Sequence, residues 1–227
     1  MAQQLTFDLP SVPALGREDF FISPANALAV AALDNWRAWP MRKLALSGPS
    51  GAGKTHMAHV FAAATGAPIL HARDVIGADL PALAPGPLVV EDIPTIAGQP
   101  DAERALFHLH NLSQAEGGTL LFTAVSPPTR WPLTLPDLAS RMQACDVAQI
   151  EPPDDNLLAA VIAKMFADRQ LNVDADVITY LTLRMDRSFA AARDVVTRLD
   201  AMSLTEKRPI TKHLAARALD KGPLSGA

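Results

Sequence analysis

The chain has one cysteine, Cys145, in 227 residues. That excludes a disulfide framework and any zinc site built from several cysteines. No apolar run reaches the ~18 residues of a membrane span, because Pro, Gly or a charge interrupts each one. The N-terminus lacks the charged and apolar regions of a secretory signal, so a cytoplasmic protein is expected. Basic excess is missing too: Lys and Arg number 20 against 24 Asp and Glu, a net charge of −4. A protein whose main task is gripping a phosphate backbone usually shows a basic stripe. Sequence-specific DNA binding is therefore not expected, and neither is a membrane partner.

What is present is a globular composition, 49% hydrophobic and 19% charged, long enough to bury a core unaided. Strand patterns at Lys43–Ser47, Pro68–His71, Leu88–Val90, Leu120–Ala124 and Asp146–Ile150 alternate with helical ones. The helical stretches are Asn26–Trp39, Lys54–Ala64, Asp101–Ala115 and Asp137–Met142. Such alternation predicts a three-layer α/β fold with a parallel sheet. After Pro152–Pro153 only helices remain, at Asp154–Gln170, Asp174–Arg184, Ser188–Met202 and Ile210–Leu219. Three units are expected: a flexible arm over 1–17, a nucleotide-binding domain over 18–152 and a helical lid domain over 153–227.

Gly48-Pro-Ser-Gly-Ala-Gly-Lys54-Thr55 is a complete P-loop, set between a strand and a helix. Gly48, Ser50, Gly51, Ala52 and Gly53 would turn successive N–H groups toward phosphate oxygens, beside a helix N-terminus. Lys54 would neutralise the β- and γ-phosphates, and the Thr55 hydroxyl would ligate Mg²⁺. Leu88-Val-Val-Glu91-Asp92 ends a buried strand in two carboxylates. Such a pair beside a P-loop holds the metal (Glu91, Asp92) and orients the attacking water (Asp92).

Other candidates are weaker. His56 and His59 lie at i, i+3 without a third ligand at helical spacing, and His108 and His110 fall on different helix faces. Cys145 has no His/Asn pattern and reads as a structural thiol. Gln4-Leu5-Thr6-Phe7-Asp8-Leu9 carries alternating apolar residues. It reads either as an edge strand or as a docking peptide on the arm.

Taken together, the P-loop, Leu88–Asp92, Leu135-Pro-Asp-Leu-Ala-Ser-Arg141 and Leu183–Arg193 resemble the AAA+ domain of the DnaA family. The resemblance spans about Asp19 to Leu219. It implies an AAA+ parallel sheet with a C-terminal helical lid, and ADP or ATP with Mg²⁺ as ligands. It further implies that Phe21 and Ile22 belong to the adenine pocket, and that Arg141 is an arginine finger reaching a neighbour's nucleotide. The stop after the lid helices suggests a regulatory member without the DNA-binding domain. Gln4, Leu5, Phe7 and Leu9 are similar to the clamp-binding peptide of such members. The implied partners are DnaA and the DNA polymerase sliding clamp, with a homodimer or oligomer possible.

Three positions depart from the pattern. Val125 cannot hydrogen-bond where the family has a polar sensor, leaving Thr123 as a substitute. Ala190 stands where a lid arginine is expected, with Arg187 and Arg193 one turn to either side. Glu91 replaces the commoner Asp. The resemblance thus implies a nucleotide-binding regulator with weak or no hydrolysis of its own that promotes hydrolysis on DnaA. The alternative is a self-contained, helicase-loader-like AAA+ ATPase.

Overall fold

The computed structural model describes residues 22–220. Its sheet contains β1 (Lys43–Ser47), β2 (Ile69–His71), β3 (Pro87–Glu91), β4 (Thr119–Ala124) and β5 (Asp146–Gln149). They pair in the order β2-β3-β4-β1-β5, and every pair is parallel. β1 and β4 are buried along their whole length, as strands covered on both faces must be.

Alternation assigns the two faces. Leu44, Leu46, Val89 and Leu121 point to one side, against α1 (Ala27–Asp34) and α2 (Lys54–Thr65). Ala45, Val90 and Phe122 point to the other. There they meet α3 (Leu80–Leu83), α4 (Pro100–Glu116) and α5 (Pro136–Gln143). Two layers of helix thus enclose one sheet, as the strand–helix alternation predicts.

The remaining helices form the lid: α6 (Asp155–Asp168), α7 (Ala175–Thr182), α8 (Phe189–Glu206) and α9 (Lys212–Asp220). Leu158, Ile162 and Phe166 recur every four residues along α6 and pack with Leu181, Val196, Leu199 and Leu214 into a separate core. Asp154 caps α6 by accepting the Leu157 N–H at 2.7 Å, which accounts for the helix starting directly after the two prolines.

One expectation needs correction. The predicted Asn26–Trp39 helix stops at Asp34 and continues as a 3₁₀ turn over Trp36–Ala38. Trp39 takes an extended conformation before Pro40, as residues preceding proline prefer. Its ring stacks on Phe61 at 5.4 Å while its indole N–H bonds to the Ala32 carbonyl. Residues 72–83, to which no element was assigned, form a 3₁₀ segment (Ala72–Gly77) and the short α3.

Candidate functional site

β1 ends at Ser47, and the chain turns at once into the P-loop. Gly48 is pressed against the residue that follows β5: a Cβ there would sit 2.7 Å from the Ile150 carbonyl oxygen. Gly51 and Gly53 have φ of +73° and +97°, which glycine adopts without steric cost. The turn feeds α2, so the N-terminal N–H groups of that helix face the loop's interior.

Lys54 is buried, and its Nζ donates to the carbonyls of Gly48 at 2.7 Å and Pro49 at 2.9 Å. Burial draws its pKa below the usual lysine value, while the Asp92 and Glu91 charges oppose that shift. Thr55, Ser50 and Asp92 are exposed, and Ala52 is buried. The acidic pair stands two strands away across β4. Glu91 is 5% exposed, with Oε1 lacking any hydrogen-bond partner and Oε2 4.0 Å from His71 Nδ1. Asp92 adopts a left-handed conformation (φ 57°) and donates its backbone N–H to Thr123 Oγ1 at 3.2 Å. Thr123 thus touches the acidic turn, whereas Val125 is exposed beyond the strand.

A nucleotide phosphate with Mg²⁺ fits this donor set. The orphaned Glu91 Oε1 and the orphaned, buried Ser47 Oγ are both groups that a hydrated cation or phosphate would satisfy. The lysine and the glycine turn supply the anion side.

The lid closes over the loop. Phe189 donates its backbone N–H to the Gly51 carbonyl at 2.8 Å. Ser188 and Ala190 lie 3.0 Å from where a Gly51 Cβ would be, and the Phe189 ring lies 3.3 Å from that of Gly53. Of the two replacement arginines, Arg187 is engaged elsewhere, on the Asp155 carboxylate at 3.0 Å, and Arg193 is exposed. Phe189 escaped the sequence reading, although it directly precedes Ala190 in the stretch that carries the resemblance.

Arg141 lies apart from all of this. It is exposed, in the last turn of α5, and the Cys145 thiol donates to its carbonyl oxygen at 3.4 Å. It makes no ion pair among the described residues; Asp137, one turn earlier, does not hold it. Asp146, five residues further on, pairs with Leu44 at the start of β1, whereas the P-loop follows the end of that strand. Ile22, assigned to the adenine pocket, is 63% exposed. Phe21 and the Gln4, Leu5, Phe7 and Leu9 peptide lie outside the described residues. No group of three or more His, Cys, Asp or Glu suited to a metal occurs among the described residues. No helix there is long and apolar enough to cross a membrane.

Residues 154–215 match the family model for the lid domain of Hda. The chain is similar to the chromosomal replication initiator protein DnaA of Thermomicrobium roseum, 26% identical over 135 residues. That alignment covers 60% of this chain but only 29% of the relative's length. In three dimensions it is similar to domain III of the Thermotoga maritima replication initiation protein DnaA. The TM-score is 0.80 at 20% identity, covering 92% of this chain and 97% of the other. AMPPCP-bound DnaA from Aquifex aeolicus superposes with a TM-score of 0.68 at 18% identity, over 86% and 69% of the two chains. With its parallel five-stranded sheet, its P-loop and a lid of this type, the chain has the fold of DnaA domain III and resembles DnaA-family AAA+ proteins, its lid being like that of Hda.

Proposed function

We propose that the chain is an adenine-nucleotide-binding regulator of replication initiation that presents Arg141 to a nucleotide held by DnaA. Residues 48–55 would hold the phosphates of ADP or ATP, with Thr55, Glu91 and Asp92 holding Mg²⁺, which neutralises phosphate charge. Gln4, Leu5, Phe7 and Leu9 would dock on the sliding clamp. The division into arm (1–17), nucleotide domain (18–152) and lid (153–227) belongs to the same reading.

The observation that carries it is the placement of Arg141. β1 separates it from the chain's own P-loop by five residues, roughly 15 Å at the usual rise per residue. An exposed guanidinium with no ion pair among the described residues, at the opposite end of β1 from its own site, is open to another molecule. At a developing phosphoryl charge such a group accelerates transfer by orders of magnitude.

The test is the rate of ATP hydrolysis on DnaA with DNA-loaded clamp. Arg141→Ala should bind nucleotide and clamp normally yet lose stimulation, and Arg141→Lys should recover little, lacking the planar fork. Replacing Leu5 and Phe7 by alanine should abolish clamp capture without lowering the melting temperature. Full stimulation by Arg141→Ala would remove the main support for the trans-acting reading. The alternative, a self-contained ATPase, is favoured by the Thr123–Asp92 contact, which keeps the acidic turn ordered. Steady turnover by the isolated chain would establish it.

A further inference from the structure

The lid meets the P-loop through atoms of the chain itself. Among the described residues, the bond from the Phe189 N–H to the Gly51 carbonyl is the one backbone hydrogen bond joining residues 154–220 to the sheet domain. The Phe189 ring is half-buried and has two neighbours. On one side it packs against the lid core, and on the other it faces Gly53, where a Cβ would lie 3.3 Å from it. Both P-loop glycines thus lack the atom that would hold the lid away.

The segment that carries Phe189 is fixed to the lid. The Ser188 hydroxyl accepts the Ala191 N–H at 3.1 Å, and the Ser188 N–H donates to the Asp186 carbonyl at 2.7 Å. Arg187 is tied to the first turn of α6 through Asp155. The contact with the loop can therefore form and break as the lid moves, with no rearrangement inside the lid. It also needs no phosphate. Ala190 carries no charge, and the Phe189 N–H at the start of α8, a donor that an anion could otherwise use, is taken by Gly51.

A contact made only of protein atoms stabilises the closed lid equally whether or not nucleotide is bound. Its strength cancels from the affinity, which compares two closed states. It remains in both rates, because entry and release each require an open lid. We propose that Phe189 gates the nucleotide site: its amide and ring latch the lid to Gly51 and Gly53 and set how fast a nucleoside di- or triphosphate enters and leaves, not how tightly it is held. The proposal rests on the reading of residues 48–55 as a nucleotide site. An arginine reaching the phosphate would act differently, slowing release alone.

The experiment measures association and dissociation of N-methylanthraniloyl-ADP by stopped-flow fluorescence for the parent chain, Phe189→Ala and Phe189→Leu. Loss of the ring contact in Phe189→Ala should raise both rates about tenfold and leave Kd within about threefold. Phe189→Leu still fills the lid core and should raise both rates by a smaller factor. In the ligand-free chains, NMR relaxation dispersion at the Ala190 amide should report an open population that grows in the order parent, Leu, Ala. Faster dissociation with unchanged association would overturn the proposal, since the ring would then hold nucleotide or the lid fold. Two unchanged rates would overturn it as well. If Phe189→Ala does not fold, Phe189→Leu decides by the same criterion. Failure of the parent chain to bind the probe would sink the nucleotide reading instead; the dispersion measurement, which needs no ligand, would still show whether Phe189 latches the lid.

Discussion

Leu135 donates its backbone N–H to Glu103 Oε2 at 2.6 Å, which ties the start of α5 to α4. The same carboxylate accepts from the Thr134 N–H and hydroxyl at 3.0 Å and from the Gly98 N–H at 2.8 Å, with the glutamate 0% exposed. Burial alone would raise its pKa. The hydrogen bonds from Thr134, Leu135 and Gly98 outweigh burial and hold the carboxyl below the usual glutamate range. A depressed carboxyl contributes stability above its unfolded pKa and loses it as pH falls through the folded value. Glu103→Gln turns an N–H donor toward donors and should cost about 2–3 kcal/mol in denaturant unfolding. Because this knot seats α5, stimulation through Arg141 should fall further than nucleotide affinity.

His110 makes a demand of the same sign on pH, in a higher window. Burial first, then the Lys43 charge, bring its pKa to about 4, whereas an unfolded histidine titrates near 6.5. Between those values the unfolded chain binds the extra proton, so stability rises with pH across the window and is complete above it. Acidification from pH 7 to pH 4 should cost about 3 kcal/mol through this group. His110→Gln should flatten that part of the stability–pH curve. An unchanged slope in urea unfolding would show that His110 does not titrate there.

Gly51 and Gly66 both have φ of +73°, but only Gly51 faces another element. Alanine at either position should cost about 1 kcal/mol for the left-handed backbone. At Gly51 the new methyl also meets Ser188 and Ala190 at 3.0 Å, so the lid must shift. Gly51→Ala should therefore lower nucleotide affinity about tenfold or more, and Gly66→Ala should leave it unchanged. Isothermal titration of both variants with ADP makes the comparison.

Lys54→Ala should abolish tight nucleotide binding. The variant also frees the Gly48 and Pro49 carbonyls from their bonds to Nζ. Losing those two bonds should lower the melting temperature by a few degrees while the chain still folds. Retained affinity would mean that the loop does not cradle phosphate.

The strands were legible because a parallel sheet covered on both faces writes itself as short apolar runs, and Leu88–Val90 and Leu120–Ala124 are of that kind. The P-loop was legible because its chemistry fixes both residue types and spacing. Residues 72–83 were not: 3₁₀ segments and a four-residue helix are too short to establish a period. The break after Asp34 was hidden because Ala and Leu favour helix locally, while the Trp39–Phe61 stack that ends it is a tertiary contact. Glu103 carried a faint signal, lying one turn before Leu106 and two before His110 on the buried face of α4. The burial of Lys43 carried none, since a lysine leading a strand ordinarily lies at the surface.

The bond from the Phe189 amide to Gly51 has one more consequence. Phe189 is the first residue of α8, where an amide has no partner within its own helix. Its proton is shielded only by the P-loop carbonyl. Solvent deuterium can replace it when lid and loop part, with no need for α8 to unwind. The exchange rate of this single amide is therefore a gauge of lid opening, and its slowing as ADP is added would measure in free-energy units how firmly nucleotide holds the lid shut.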